Sequence, residues 1–188
     1  MAHPHQDPTP SQDGERRSRL RQYQVQLLER MQAAQGAAVA TGRELGVLVG
    51  DRHCLLDLTQ AGEIVPQQAI TGVPLTQPWY LGLANLRGSL TGIVDLAAYL
   101  GDAPAAPDAE GRLLTFAPSL GLPCALLVRR VLGLRRLADM QPQERDAAAP
   151  AWCAERHADT NGQAWIRLDL ALLMREARFL HVGLLAGQ

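Results

Sequence analysis

The distribution of apolar and polar residues divides the chain into a helical segment and a longer region of short strands. Within residues 15–35, one set of apolar side chains recurs at the three- and four-residue spacing of a helix face: Leu20, Tyr23, Leu27, Leu28 and Met31. From residue 45 onward the apolar runs are short and are separated by turn residues, a pattern that favours β-strands. The chain is therefore predicted to have an N-terminal helix followed by a mainly β domain.

The strand signals fall into two similar series. In the first, LGVLV and HCLLDL flank a turn at Gly50 as a hairpin, and AGEIVP follows as a strand that ends at Pro66. In the second, RLLTF and LPCALLVRRVLGLRRL contain further strands, while AWCAERHA and QAWIRLD predict a hairpin around the Asn161-Gly162 step. We expect LTQPWYLG to form a helical turn and RFLHVGLL to form a closing strand.

One self-similarity indicates a duplication. IVDLAAYL at residues 93–100 aligns with RLDLALLM at residues 167–174, and each reads as a strand end, an Asp-Leu step and a short amphipathic helix. In the first copy, Asp95 is a predicted helix N-cap and Gly101 a C-terminal stop. The repeat predicts two β-barrels rather than one sandwich, with chance similarity of a short match as the competing explanation.

Local composition predicts the domain boundaries. Residues 1–14 are rich in Pro, Gln, Asp and Ser and should form a disordered tail. Residues 15–42 make the helix and a linker, and residues 43–185 make the β domain. A Pro-, Ala- and Gly-rich loop at residues 101–111 marks the predicted internal boundary. The apolar stripe of the helix fits either docking on its own domain or binding a partner.

Charge and apolar-run length restrict the function classes. The 18 Lys and Arg residues nearly balance the 19 Asp and Glu residues, so no overall field attracts nucleic acid. No apolar run approaches the roughly 18 residues of a membrane span, and the N-terminus lacks the apolar core of a secretory signal. We expect a cytoplasmic protein with reduced thiols at its three cysteines.

The sequence predicts no catalytic, cofactor or metal site. Both glycine-rich phosphate-binding motifs, GxGxxG and GxxxxGK[ST], are absent. Cys153 and His157 have the spacing of half a zinc site, but no second pair stands nearby. His53, Cys54 and Asp57 lie on one predicted strand, where neighbouring side chains diverge, so they do not form a thiol catalytic cluster.

The segment GLANLRGSLTGIVDL places an arginine within an apolar run. If residues 84–91 alternate as one strand, one face carries Ala84, Leu86 and Leu90, and the other carries Asn85, Arg87, Ser89 and Thr91. The guanidinium would then project from a polar strand face beside glycines. It could tie down a loop by pairing with Glu63, or offer a planar charged fork to a partner. These two roles are compatible.

The same region carries a family resemblance. VPLTQPWYLGLANLRGSLTGIVDLAAYLG resembles the signature of CheW-type chemotaxis coupling proteins: a proline-containing turn, an Asn-Leu-Arg-Gly step, a strand and an Asp-Leu helix. The resemblance extends over roughly residues 43–185 and is stronger in the first half. The PWYLGLANLRG sequence and the N-terminal helix resemble the coupling proteins of type IV pilus, twitching-motility systems more closely than those of flagellar systems.

The resemblance implies a fold and a function. Members of this family have two SH3-like five-stranded β-barrels, no enzyme activity and no cofactor. They act as adaptors between the cytoplasmic tip of a methyl-accepting chemoreceptor and the regulatory domain of a CheA-like histidine kinase. By position match, the resemblance places the partner-binding surface at five residues: Ala61, Glu63, Gly82, Asn85 and Arg87.

The resemblance also implies an apolar kinase contact and shows two departures. The contact would include Ile64, Val65 and Leu86, although Leu86 also fits a core position. Gly92 stands where the family usually has proline, and Arg129 stands where it usually has aspartate. The alternative function is a small barrel that binds nucleic acid, which would need a basic face with exposed aromatic side chains.

Overall fold

The computed structural model describes residues 42–103 and 111–184, which form a mainly β domain. The strands are β1 Arg43–Val49, β2 Arg52–Asp57, β3 Ala61–Pro66, β4 Tyr80–Leu86, β5 Ser89–Val94, β6 Arg112–Phe116, β7 Cys124–Val128, β8 Arg130–Arg136, β9 Gln141–Pro142, β10 Glu155–Ala158 and β11 Ala164–Leu168. The α-helices are α1 Leu96–Tyr99, α2 Leu170–Leu173 and α3 Ala177–Leu180, and 3-10 turns cover Pro118–Leu120, Leu137–Asp139 and Ala151–Cys153. The predicted tail, the N-terminal helix and most of the 101–111 loop lie outside the described residues.

The strands form two sheets that have the same internal order. One sheet runs β3-β6-β7-β5-β4, and the other runs β8-β1-β2-β11-β10-β9. The two orders become the same if β1, β2 and β3 are matched to β6, β7 and β8, and β4 and β5 to β10 and β11. The two-residue β9 is then an additional strand. Each sheet therefore combines strands from both halves of the chain.

Apolar side chains fill three separate clusters. Val65, Leu86 and Ile93 belong to a cluster inside the five-stranded sheet, and Leu55, Met140 and Trp165 form one inside the six-stranded sheet. A larger cluster joins both sheets to the helices through buried aliphatic and aromatic side chains. Each sheet therefore has a small core of its own, and a third core joins the two sheets. Because the chain has few aromatic residues, aliphatic side chains fill most of these cores.

The predicted Asp-Leu helix starts are confirmed. The Asp95 side chain accepts a hydrogen bond from the Ala98 amide at 3.1 Å, and the Asp169 side chain accepts one from the Leu172 amide at 3.0 Å. The repeat also extends further than the sequence showed, because the Asp95 amide donates to the Trp79 carbonyl and the Asp169 amide to the Trp152 carbonyl. Each half thus locks its helix start to a buried tryptophan.

Three local predictions differ in part from the structure. The first residues of RFLHVGLL belong to α3 instead of a strand, because Phe179 packs among aromatic rings. Farther along the segment, Gly183 makes an isolated β-bridge with Thr76. LTQPWYLG forms a single turn, in which the Tyr80 amide donates to the Gln77 carbonyl at 2.9 Å, and the chain continues directly into β4. The hairpin predicted from AWCAERHA and QAWIRLD is confirmed by the antiparallel pairing of β10 with β11. Its first strand begins only at Glu155, because Ala151–Cys153 form a 3-10 turn that buries Trp152.

None of the helices in the described ranges is long and apolar enough to span a membrane.

Candidate functional site

Arg87 occupies a tight turn, not the polar face of a strand. Leu86 and Ser89 are paired, so Arg87 and Gly88 alone connect β4 to β5. Their φ angles of 51° and 87° are those of the mirror-image turn that matches strand twist. The Gly88 amide donates to the Asn85 side-chain oxygen at 2.8 Å, which stabilises the turn. The expected alternation through residue 87 was therefore wrong.

The two-residue turn also reverses the expected facing of β5. Asn85 pairs with Leu90 and Ala84 pairs with Thr91, so each pair shares a face of the hairpin. As a result, Leu90 is 65% exposed, whereas Thr91 is only 4% exposed. The apolar residue predicted for the core lies on the surface, and the polar residue predicted for the surface lies inside.

Glu63 reaches the Arg87 turn through a β-bulge in β3. The surface formed by Glu63 and the Arg87 turn is called the Arg87 rim below. Between Ala61 and Ile64 the pairing with β6 shifts register, which places an extra residue in β3. The Glu63 amide donates to the Thr115 side-chain oxygen at 2.7 Å, so a hydroxyl holds the bulge in place. The bulge turns Glu63 away from the core and toward Arg87.

The Arg87–Glu63 pair predicted from the sequence is confirmed. Arg87 Nη1 donates to Glu63 Oε1 at 2.8 Å, and the two side chains are 73% and 46% exposed. An exposed pair of this kind stabilises a fold by less than about 1 kcal/mol. Its physical effect is to fix the position of an accessible guanidinium whose other N–H groups can bind a second acceptor.

The remaining predicted partner-binding residues differ in their access to solvent. Asn85 is exposed, whereas Ala61 and Gly82 are buried. A Cβ atom at position 82 would lie 2.1 Å from the Thr71 carbonyl oxygen, and the residue has φ of 127°. Ala61 and Gly82 therefore lie beneath the surface on which Glu63, Asn85 and Arg87 are exposed.

The predicted apolar contact is mostly internal. Val65 and Leu86 are each 7% exposed and belong to the small core of the five-stranded sheet. Ile64, on the opposite face of β3, is 41% exposed. The core placement of Leu86 is thus the alternative that the structure supports, and Ile64 is the accessible member of the group.

A groove of about 430 Å³ adjoins the ion pair. Its lining includes Glu63 and Arg87, the hydroxyls of Thr91 and Thr115, and Leu122 of the loop before β7. The lining is uncharged apart from the Glu63–Arg87 pair. Such a groove is suited to recognising a polypeptide surface through shape and a few polar contacts.

Sequence reasoning missed Gly62 and Thr115. A Cβ atom at position 62 would lie 2.5 Å from Thr115 Oγ1 and 2.8 Å from the Phe116 carbonyl oxygen, so the bulge requires glycine. A glycine inside a short strand is the available sequence signal for such a bulge. Nothing local identifies Thr115, because its contact with Glu63 joins residues 52 positions apart.

Arg129, which stands where the family usually has aspartate, forms an ion pair within the chain. Arg129 forms an ion pair with Asp51, which lies in the turn between β1 and β2. Next to it, Arg52 forms a bidentate pair with Asp102, at 2.8 and 2.6 Å. Gly92 lies against the Tyr80 ring, and a Cβ atom there would be 3.1 Å from the tyrosine oxygen.

Several ionisable groups elsewhere in the described ranges are held in structural contacts. Arg167 donates to Glu44 Oε1 at 2.6 Å and to Glu155 Oε2 at 3.4 Å, and His157 Nε2 lies 3.0 Å from Glu155 Oε1. Burial raises the pKa of Glu44 despite the arginine beside it. No group of three or more His, Cys, Asp or Glu side chains in these ranges is arranged to hold a metal ion.

The buried thiols are predicted to resist alkylation in the native protein. Cys54 and Cys124 are buried, and burial raises the pKa of each to about 12. At pH 8 about one such thiol in ten thousand is then ionised. Iodoacetamide followed by mass spectrometry should modify these two cysteines only after denaturation. Native-state modification at the rate of the denatured protein would contradict the placement.

Comparison with known proteins identifies the family. A family profile described as the CheW-like domain matches residues 44–178, more than half of the chain. The chain belongs to the CheW-like domain family. The prediction made from the PWYLGLANLRG region is thereby confirmed.

Relatives of this CheW-like protein include a protein named PilI and a probable chemotaxis protein. Protein PilI of Pseudomonas aeruginosa is 29% identical over 102 residues, covering 54% of this chain and 57% of PilI. A probable chemotaxis protein CheW of Rhizobium etli is 33% identical over 86 residues, covering 46% of this chain and 50% of that protein. The matched region spans about half the length of each relative.

A solved structure shares the fold of this CheW-like protein. The scaffolding protein TtCheW from Thermoanaerobacter tengcongensis aligns with a TM-score of 0.59 and 19% identity, covering 73% of this chain and 94% of TtCheW. At this identity the likeness establishes the fold. The predicted architecture of two SH3-like barrels is confirmed, with β9 as a short sixth strand in one sheet.

Proposed function

We propose that this CheW-like protein is a non-catalytic adaptor that couples a methyl-accepting chemoreceptor to a CheA-like histidine kinase. The observation that carries the proposal is the exposed Arg87–Glu63 pair, held by a tight turn and a bulge beside a groove. The adaptor would act by position, so that the state of the receptor biases the conformation and activity of the kinase.

An adaptor needs two separable surfaces, and the domain offers a second groove. Ile64 of β3 and Val131 of β8 line a groove of about 520 Å³ together with Arg112 and Arg130. β3 and β8 are edge strands of different sheets. A partner bound there would contact both barrels, while another partner occupies the Arg87 rim.

One of the two relatives supports a pilus-linked system. The similarity to PilI of Pseudomonas aeruginosa agrees with the PWYLGLANLRG wording of the sequence. We propose that the chain works in a type IV pilus, twitching-motility pathway, in the cytoplasm and next to membrane-bound receptor arrays. The neighbouring genes test this directly, because a receptor, a kinase and pilus components should accompany the gene.

The burial of the tryptophans weighs against the nucleic-acid alternative. Trp79, Trp152 and Trp165 are 3%, 2% and 2% exposed. Proteins that bind single strands through barrels stack bases on exposed aromatic rings, and these rings are inside the domain. A gel-shift assay in low salt is expected to show no complex with DNA or RNA.

Replacing Arg87 with alanine is predicted to weaken partner binding without unfolding the domain. Because the ion pair is exposed, its loss should change the free energy of unfolding by less than about 1 kcal/mol. Binding to a purified kinase regulatory domain or receptor tip should weaken about tenfold or more, since a charge-assisted contact is lost. Calorimetry and urea denaturation on the same samples measure both quantities.

Two further variants separate recognition from structure. Arg43→Ala removes another exposed arginine away from the rim and should leave binding unchanged. The double reversal Glu63→Arg with Arg87→Glu keeps an ion pair but exchanges the charges presented to a partner. It should retain wild-type stability and lose binding. Normal binding by Arg87→Ala and by the double reversal would show that the pair is structural only.

A further inference from the structure

The β4–β5 hairpin extends past the strand beside it. β7 pairs with β5 only from Gly92 onward, where Gly92 lies opposite Cys124 and its amide donates to the Pro123 carbonyl. Among the described residues, positions 89–91 of β5 therefore have β4 on one side and no paired strand on the other. This short edge lies next to the Arg87 turn.

The backbone of Leu90 faces that open edge. A two-residue turn closes on a hydrogen-bonded pair, here Leu86 and Ser89. Hydrogen-bonded and non-hydrogen-bonded pairs alternate along an antiparallel ladder, so the next pair, Asn85 and Leu90, directs its N–H and C=O groups outward. Leu90 can thus exchange two hydrogen bonds with one residue of an added strand.

The two faces of the edge lead into different grooves. Ser89 and Thr91 line the 430 Å³ groove that contains Glu63 and Arg87. Leu90 lines a different groove, of about 320 Å³, on the opposite face of β5. Most residues that line this 320 Å³ groove are apolar, among them Leu83, Leu122, Leu180 and Val182. Both Leu90 and Leu180 line this groove, and they are 65% and 55% exposed, so the groove presents accessible apolar surface.

We propose that this edge of β5 accepts an extended polypeptide segment as an added antiparallel strand. The residue opposite Leu90 is apolar and enters the 320 Å³ groove. The next residue of the segment lies opposite Ser89 and is acidic, so that it reaches the guanidinium of Arg87. Added strands gain affinity from main-chain hydrogen bonds and specificity from pockets for alternate side chains, which is the arrangement found here.

This inference rests on the proposed function, because the added strand shares the Arg87 rim with it. It specifies that a partner docks there through an extended segment. Arg87 suits this role because its bond to Glu63 uses Nη1, and a guanidinium has further donors in the same plane. The exposed edge of a strand is otherwise a hazard for aggregation, which a bound segment removes.

A synthetic peptide tests the edge directly. Acetyl-Thr-Thr-Leu-Glu-Thr-amide has the apolar and acidic residues in the proposed order. When titrated to millimolar concentration into the ¹⁵N-labelled full-length chain, it should shift the backbone amide signals of residues 89–91. The same peptide N-methylated at its leucine cannot donate to the Leu90 carbonyl and should bind at least about tenfold more weakly. Equal binding of both peptides, or no shift at residues 89–91, would overturn the inference.

Variants of the chain provide the matched controls. Leu90→Pro removes the outward N–H while retaining the β4–β5 hydrogen bonds, because proline is tolerated at an edge position. It should abolish peptide binding, whereas Leu134→Ser, at an exposed leucine of β8 that is 49% accessible, should not affect it. If Leu90→Pro fails to fold, the N-methylated peptide still decides the question.

A kinase regulatory domain distinguishes this inference from the proposed function. Loss of kinase-domain binding in Leu90→Pro, with peptide binding by wild type, supports the added strand at this rim. If wild type and a folded Leu90→Pro variant bind both the kinase domain and a receptor tip equally well, the added strand is overturned and the proposed function remains intact. Peptide binding without binding of any kinase or receptor domain supports the edge site and contradicts the proposed function.

Discussion

Replacing Gly82 with alanine is expected to destabilise the domain by about 3–5 kcal/mol. The new Cβ atom would lie 2.1 Å from the Thr71 carbonyl oxygen, and it would impose a side chain on a residue with φ of 127°. Backbone strain costs about 1–3 kcal/mol, and overpacking against a fixed carbonyl adds a similar amount. Urea denaturation followed by tryptophan fluorescence measures the change.

The control for Gly82 lies close by in the structure. A Cβ atom added at Gly72 would meet no atom within 4 Å, and the φ of Gly72 is one that other residues adopt. Gly72→Ala should therefore change stability by less than about 1 kcal/mol. If Gly82→Ala is as stable as Gly72→Ala, the close approach of Thr71 is wrong. A binding defect in Gly82→Ala should be interpreted as a distortion of β4 before it is assigned to a lost partner contact.

Replacing Phe179 with alanine is expected to cost about 3–5 kcal/mol of stability. Its ring stacks on Trp79 with centroids 6.0 Å apart and on Phe116 at 6.3 Å, and its edge-to-face contact with Tyr99 is 5.7 Å. Removing the ring leaves a cavity between these three aromatic side chains. Thermal unfolding and near-ultraviolet circular dichroism should both report the loss.

Leu180 supplies the matched control on the same short helix. It is 55% exposed, so Leu180→Ala should alter stability by less than about 1 kcal/mol. Comparable stability of Phe179→Ala and Leu180→Ala would show that α3 does not pack on the core. The prediction concerns a residue just beyond the matched family region, which ends at residue 178.

Local signals in the sequence were sufficient for most strands and for the helix starts. The Asp-Leu steps at Asp95 and Asp169 identified both N-caps because a cap depends on residues only three positions apart. The hairpin of β1 and β2 followed from one turn and two apolar runs. These features require no knowledge of distant parts of the chain.

The errors share a physical cause. The alternation of apolar and polar residues led to the prediction that Arg87 lies on a strand. Nothing in the Leu-Arg-Gly sequence indicates that a non-glycine residue adopts a positive φ there. One turn residue more or less exchanges the faces of every following residue, which is why Leu90 and Thr91 were reversed. The exchange of strands between sheets, and the packing of Phe179, depend on contacts between distant segments that no local pattern encodes.

The ion pair of the candidate site was predictable from the sequence, whereas the groove beside it was not. The sequence suggested that Glu63 and Arg87 pair, and the structure joins them at 2.8 Å. Their shared groove, the bulge at Gly62 and the hydroxyl of Thr115 became visible only with the fold. The rim therefore combines a charge signal readable in the sequence with a shape created by packing.

Receptor-controlled kinase activity tests the central claim most directly. Phosphorylation by a purified CheA-like kinase would be measured with receptor-containing membranes, in the presence of the wild-type chain, of Arg87→Ala, or of no added chain. The adaptor account predicts that the wild-type chain makes kinase activity depend on the receptor and that Arg87→Ala largely loses this effect. Kinase activity that is the same with and without the wild-type chain, under conditions where all three proteins are folded, would contradict it.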